Sequence, residues 1–169
     1  QMNQITEYQL EPAAQDDRKA VNSLVHTSGL QIEEQLSRDY DFLGYLITNE
    51  VSDKILGQTY EALQASLIPA TDNEIAKGLL KLRALTSHKV DGQDIDLILE
   101  AYVEQLRDYP REAVLESLNR MAGHVKWFPS WHELKDDVEF RCKYRIGLMK
   151  AIERKMDVRQ ISKLRQISG

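Results

Sequence analysis

The stretch Ile95-Asp96-Leu97-Ile98-Leu99-Glu100-Ala101-Tyr102-Val103-Glu104-Gln105-Leu106 decides the fold class of this 169-residue chain. Its apolar residues 95, 98, 99, 102, 103 and 106 step at i, i+3, i+4, i+7, i+8 and i+11, the period of a helix that buries one face. Tyr109-Pro110 ends the helix, because the residue before a proline is pushed out of the helical region. Pro110 itself suits the first position of the next helix, which would bury Val114, Leu115, Leu118, Met121 and Val125. Upstream, Thr71-Asp72-Asn73-Glu74 has capping-box spacing and opens a helix with Ile75, Leu79, Leu82 and Leu85 on its buried face. Helical spacing also reads through Ile32, Leu36, Tyr40, Leu43 and Ile47. After Ser52 as a cap, it reads through Ile55, Leu56, Tyr60, Leu63 and Leu67 until Pro69. Strand-like alternation is weak throughout. The expected fold is all-α: a small helical bundle with a long C-terminal basic amphipathic helix.

The run Lys126-Trp127-Phe128-Pro129-Ser130-Trp131-His132-Glu133-Leu134 sets a joint between two such helices. Ser130 and Glu133 stand at the spacing at which each side chain satisfies an orphan backbone donor of a helix start. Trp127, Phe128, Pro129, Ser130, Trp131 and Glu133 are therefore expected to form a structural hinge. Its aromatics read as core, with exposure of one as a partner anchor the functional alternative. From Trp131 a helix with Leu134, Val138 and Cys142 on its stripe is expected to continue to about Ile167.

Composition limits the function classes. Forty-two per cent hydrophobic residues support a core, while 29% charge and the lack of any apolar run near membrane length read as a soluble, cytoplasmic protein. A single cysteine, Cys142, excludes an internal disulfide framework and fits a reducing compartment. The net charge of −5 is uneven: Arg141–Gly169 holds nine basic and two acidic residues, +7 net, which leaves −12 for the rest. Arg145, Lys150, Arg154, Lys155, Arg159, Lys163 and Arg165 are the candidate partner- or DNA-binding residues of that tail, and a solvated basic face is the plainer reading. An acidic body with a basic tail can meet two partners, or its two ends can meet each other. Four segments are expected: a polar lead-in over 1–29, a helical segment over 30–68, a helical domain over 69–145 and a basic helix over 146–169.

Catalytic signatures are weak. His26, His88, His124, His132 and Cys142 fall into no metal-ligand spacing, and His132-Glu133 lacks the second histidine of a zincin motif. Asp91, Asp94 and Asp96 lack the glycine placement and terminal glutamate of a calcium loop. Cys142 sits on an apolar stripe with no histidine at a helical spacing that would reach it. No phosphate-cradling glycine loop occurs. The expectation is a non-enzyme that needs no metal or cofactor.

Residues from about 71 to 145 carry a further pattern: Leu82-Arg83-Ala84-Leu85-Thr86, Tyr102 with Leu106, Tyr109-Pro110 with Ala113-Val114, then Trp127-Phe128-Pro129-Ser130-Trp131 with Glu133-Leu134. This resembles the helical domain of phage and prophage replicative-helicase loaders. The resemblance implies a DNA-replication accessory protein that binds a DnaB-type hexameric helicase and helps place it on DNA, with the basic tail as the contacting segment. It implies a replicative helicase as protein partner, and DNA through the basic helix as a second. Two other classes stay open on the sequence: a phage-encoded inhibitor of a host nucleic-acid enzyme or defence factor, and a helical assembly protein that forms homo-oligomers along its terminal helix.

Overall fold

The structure, a computed structural model, describes residues 12–88 and 92–168, with side chains from 12 to 88 and from 94 to 160. In chain order the elements are α1 (Pro12–Ser28), β1 (Ile32–Leu36), β2 (Phe42–Ile47), α2 (Asp53–Ser66), α3 (Asp72–Leu85), α4 (Gly92–Leu106), α5 (Arg111–His124), α6 (Trp131–Arg141) and α7 (Lys143–Ser168). The chain is predominantly helical, as its periodicity dictates, with one small two-stranded sheet. It divides into two compact units: residues up to Ser66 together with those from Lys143 onward, and Leu67–Cys142. The division expected at 1–29, 30–68, 69–145 and 146–169 is thereby redrawn, because the basic helix folds with the N-terminal third.

The first unit departs most from the sequence reading. The lead-in expected over 1–29 is helical from Pro12, with Ala13, Ala14, Asp17 and Val21 buried; residues 1–11 lie outside the described residues. Its buried face is built from small side chains and one carboxylate, which an apolar count overlooks. Gly29, at φ 77°, ends α1 with its N–H on Val25 O, a helix stop that the single glycine after Ser28 foreshadows. The helix expected over Leu30–Ile47 is instead an antiparallel hairpin with Ile32 opposite Ile47 and Gln35 opposite Gly44. The apolar run Phe42-Leu43-Gly44-Tyr45-Leu46-Ile47 is short and rich in aromatic and branched side chains, a composition that favours a pleated surface. Ser37 closes the turn: its Oγ accepts the N–H groups of Asp39 and Asp41, and Tyr40 takes a left-handed φ of 65°.

Val21, Tyr45, Ile47, Leu56, Leu63, Tyr144, Leu148 and Ile152 form the core of this unit. α7 enters it at Gly147, where an added Cβ would stand 3.0 Å from the Phe42 ring, so the hairpin sits close against the helix backbone.

The second unit follows the helical reading, except that Leu85, expected on the buried face of α3, is 58% exposed. Thr71 makes the full capping box with Glu74. α3 buries Ile75, Leu79 and Leu82, α4 buries Ile95, Tyr102 and Leu106, and α5 buries Val114 and Leu118. Pro110 takes the N-cap position, one residue earlier than expected, with Arg111 starting the helix. Gly78 lets α3 approach α5: an added Cβ would lie 2.8 Å from Leu118 Cδ1. The helix expected to continue from Trp131 to about Ile167 is interrupted once, after Arg141. Cys142, at φ −124° and ψ 19°, leaves the helical region, and α7 starts afresh at Lys143.

Candidate functional site

Two places were singled out by the sequence, the aromatic–proline hinge and the basic helix, and the structure gives them opposite characters. The hinge is a locked joint. Ser130 caps α6 by accepting Glu133 N–H at 3.2 Å. The reciprocal arm of the capping box is absent; Glu133 instead accepts the Ser130 hydroxyl at 3.1 Å. Pro129 is buried, and its carbonyl takes the Tyr102 hydroxyl at 2.9 Å. Tyr102 lies 5.7 Å from the Phe128 ring, nearly parallel to it, and 5.5 Å from the Trp131 ring. On the other side Ser87 N donates to Lys126 O and Phe128 N to Ser87 O, so the segment after α3 fixes the backbone around Trp127. The Trp127 side chain is 46% exposed with the Lys126 ammonium 5.6 Å from its ring, whereas Phe128 and Trp131 are half-buried. The aromatic cluster is thus half-buried in two members and exposed in one.

The basic helix is less free than its charge suggests. Arg145 is removed from the candidate binding residues: it is 4% exposed and pairs with Asp17. Asp17 Oδ2 also accepts the N–H groups of Tyr144 and Arg145 at 2.7 and 3.2 Å, while Arg145 Nη1 donates to Ser66 O at 2.7 Å. A carboxylate from α1 therefore caps the start of α7, where the helix dipole favours negative charge. Burial pushes the Asp17 carboxyl up, against the pull of Arg145 and the backbone donors. Arg141 is also fully buried, between Asp137 at 2.6 Å and Glu116 at 3.4 Å within the second unit. The partner of these two cations is the protein itself, the outcome in which the acidic body and the basic tail meet each other.

Beyond the first turns, Lys150 and Arg154 are exposed and Lys155 and Arg159 half-buried; the side chains of Lys163 and Arg165 lie outside the described ones. Arg154 donates to Tyr45 O at 2.9 Å, and Arg159 binds Asp53 at 2.8 Å and Glu50 at 3.3 Å. Together with Leu46, Ile47 and Val158 these cations line a groove of about 350 Å³ along β2. The opposite flank of α7 borders a groove of about 540 Å³ that holds Glu61, Glu153 and Asp157, with the Tyr60 hydroxyl on Glu153 at 2.6 Å. That hydrogen bond raises the Tyr60 pKa, since it favours the phenol. One helix thus presents a basic flank and an acidic one.

Nothing among the described residues gathers three potential metal ligands. The Cys142 thiol is buried and donates to Val138 O at 3.4 Å, a setting of low reactivity. No described helix is long and apolar enough to cross a membrane. A third groove, of about 400 Å³, lies between α3 and α4 over Ala76, Leu79, Leu80, Leu99 and Val103. No protein-family model, no curated protein and no solved structure matches the chain.

Proposed function

We propose that this chain is a non-enzymatic DNA-replication accessory protein of phage or prophage type. It binds a hexameric replicative helicase and helps to place it on DNA. One observation supports the reading above others. The residues that carry the resemblance to helicase loaders, Tyr102, Tyr109-Pro110 and Trp127–Trp131, hold one self-contained unit together, Leu67–Cys142, nearly the span of the resemblance. The Tyr109 hydroxyl reaches across to Glu139 of α6 at 2.9 Å, so the tyrosine–proline element and the helix after the hinge belong to one packing arrangement. In this reading the exposed basic flank of α7 contacts the helicase, and the hinge serves to keep its own unit rigid.

The test is co-elution of the intact chain with a replicative hexamer on a sizing column. A shared peak that is lost when Lys150 and Lys155 are both changed to glutamate is expected. A chain that never joins the hexamer overturns the function; a double variant that still joins it overturns the assignment to α7. Formation of stable oligomers by the chain alone, with no helicase binding, would transfer it to the assembly class.

A further inference from the structure

We propose that the groove between β2 and α7 is a docking site for an extended acidic peptide segment of a partner protein. Three cations line it: Arg154, Lys155 and Arg159. Its apolar floor is incompletely covered, with Leu46 52% and Val158 62% exposed. The outer edge of β2 borders it. Thr48 N donates to Gln31 O, and pairing in an antiparallel ladder alternates, so Tyr45 and Ile47 turn their backbone groups away from β1. An edge of that kind is a template for another extended chain. Here the Tyr45 carbonyl is held by Arg154.

Glu50 marks where the ligand's carboxylate goes. Among the described residues it is the one acidic side chain lining the groove; it is 91% exposed, and its oxygens stand 3.8 Å from Lys155 and 3.3 Å from Arg159. These distances exceed those of a tight charge-assisted hydrogen bond. An exposed pair of that geometry is worth little, so Glu50 acts as a tethered anion that an incoming carboxylate displaces. Asp53 keeps the other arm of Arg159 and fixes the guanidinium in place.

A peptide fits this surface better than a nucleic acid. Glu50 and Asp53 interleave with the cations, a pattern that suits separated carboxylates better than a continuous phosphate chain. Tyr45, the aromatic residue of the groove, is 1% exposed and offers no face on which to stack a base. A peptide that alternates acidic and apolar residues satisfies both the cations and the floor. The inference deepens the helicase reading by naming the chemistry of the segment recognised, and it rests on that reading only for who the partner is.

Fluorescence anisotropy of the full chain with a labelled synthetic decapeptide of alternating Glu and Val tests it without helicase. Saturable binding that weakens strongly toward about 0.5 M salt is expected. Glu50→Ala should tighten binding by about threefold and Arg159→Glu weaken it by at least about tenfold, since rim and groove charges carry complementarity. Val158→Asp, on an exposed side chain, should weaken binding without lowering the melting temperature. Absence of saturable binding, or weaker binding by Glu50→Ala, overturns the proposal. Displacement of the peptide by a thymidine oligonucleotide at lower concentration overturns it in favour of nucleic acid. Failure of helicase co-elution with peptide binding intact would strike the proposed function and leave the groove standing.

Discussion

The two units of this chain are held together by different physics. Leu67–Cys142 is one continuous stretch whose helix starts are fixed by neighbours in sequence: the Thr71–Glu74 box, the Pro110 cap and the Ser130–Glu133 cap. The other unit is made of the two ends of the chain, and its most buried polar contact joins residues 128 apart, Asp17 and Arg145. Local caps contribute about 1 kcal/mol each and leave a structure standing when one is lost. A buried ion pair is of another kind, because removing one partner strands the other's charge in a medium that cannot solvate it.

Asp17→Ala is therefore the substitution with the largest expected effect, about 3–5 kcal/mol for a broken buried pair. It removes the carboxylate facing the buried Arg145, whose guanidinium keeps its bond to Ser66 O, and uncaps Tyr144 and Arg145 at the start of α7. Both tryptophans, Trp127 and Trp131, lie in the other unit, so their emission reports that unit alone. Far-UV circular dichroism should lose a large helical fraction at a much lower temperature than in the parent, while the tryptophan transition moves far less. An equal shift of both signals would mean that the units melt as one and would break the contrast.

Tyr102→Phe is the matching perturbation of the continuous unit. It removes the donor to the buried Pro129 carbonyl and should cost about 1–3 kcal/mol. Trp131, whose ring is 5.5 Å from Tyr102, should register the change in its emission. Ser130→Ala should cost less, about 1 kcal/mol. Its effect should be close to that of Thr71→Ala, because each substitution removes one side-chain acceptor of a first-turn N–H, while the arm from the Thr71 backbone N–H to Glu74 survives in the alanine variant. A Ser130→Ala variant that falls further than Tyr102→Phe would show that the cap, not the tyrosine, holds the joint.

The same contrast explains what could be read in advance. In the continuous unit the signals that place the helices are local, although the Tyr102 bond that locks the hinge spans 27 residues. The stripe from Ile95 to Leu106, the box at Thr71 and the Ser130 cap each lie within a few residues of what they control. In the split unit the deciding partners are far apart. Nothing near Asp17 announces that it will cap a helix beginning at Lys143, and nothing near Arg145 distinguishes it from the exposed Lys150. Ile32, Leu36, Tyr40, Leu43 and Ile47 satisfy a helical period where the chain forms a hairpin, because the signals of the hairpin, Gly29 and the six-residue run from Phe42, are short. The basic groove was half visible. Its cations were in the sequence, but its apolar floor belongs to a strand that the helical reading did not contain.

Acid titration should separate the units by sign, with the smallest effect of the set. In the continuous unit Arg107 holds the Asp72 carboxyl below 3.8, and Arg111, with help from the Thr71 N–H, holds that of Glu74 below 4.5. Carboxylates depressed on folding stabilise the native state fully above their unfolded values, and that contribution is lost as pH falls below them toward the folded values. Asp17 works in the opposite sense: burial pushes its carboxyl above 3.8, so its share of stability falls as pH rises through the window just above that value. The tryptophan-detected melting temperature should therefore drop between pH 5 and about 3 through these pairs, modestly, because both are solvent-screened. Arg107→Ala with Arg111→Ala should flatten that drop, since the depressed carboxylates then return toward their unfolded values. A slope that survives both substitutions would place the acid sensitivity of this unit elsewhere.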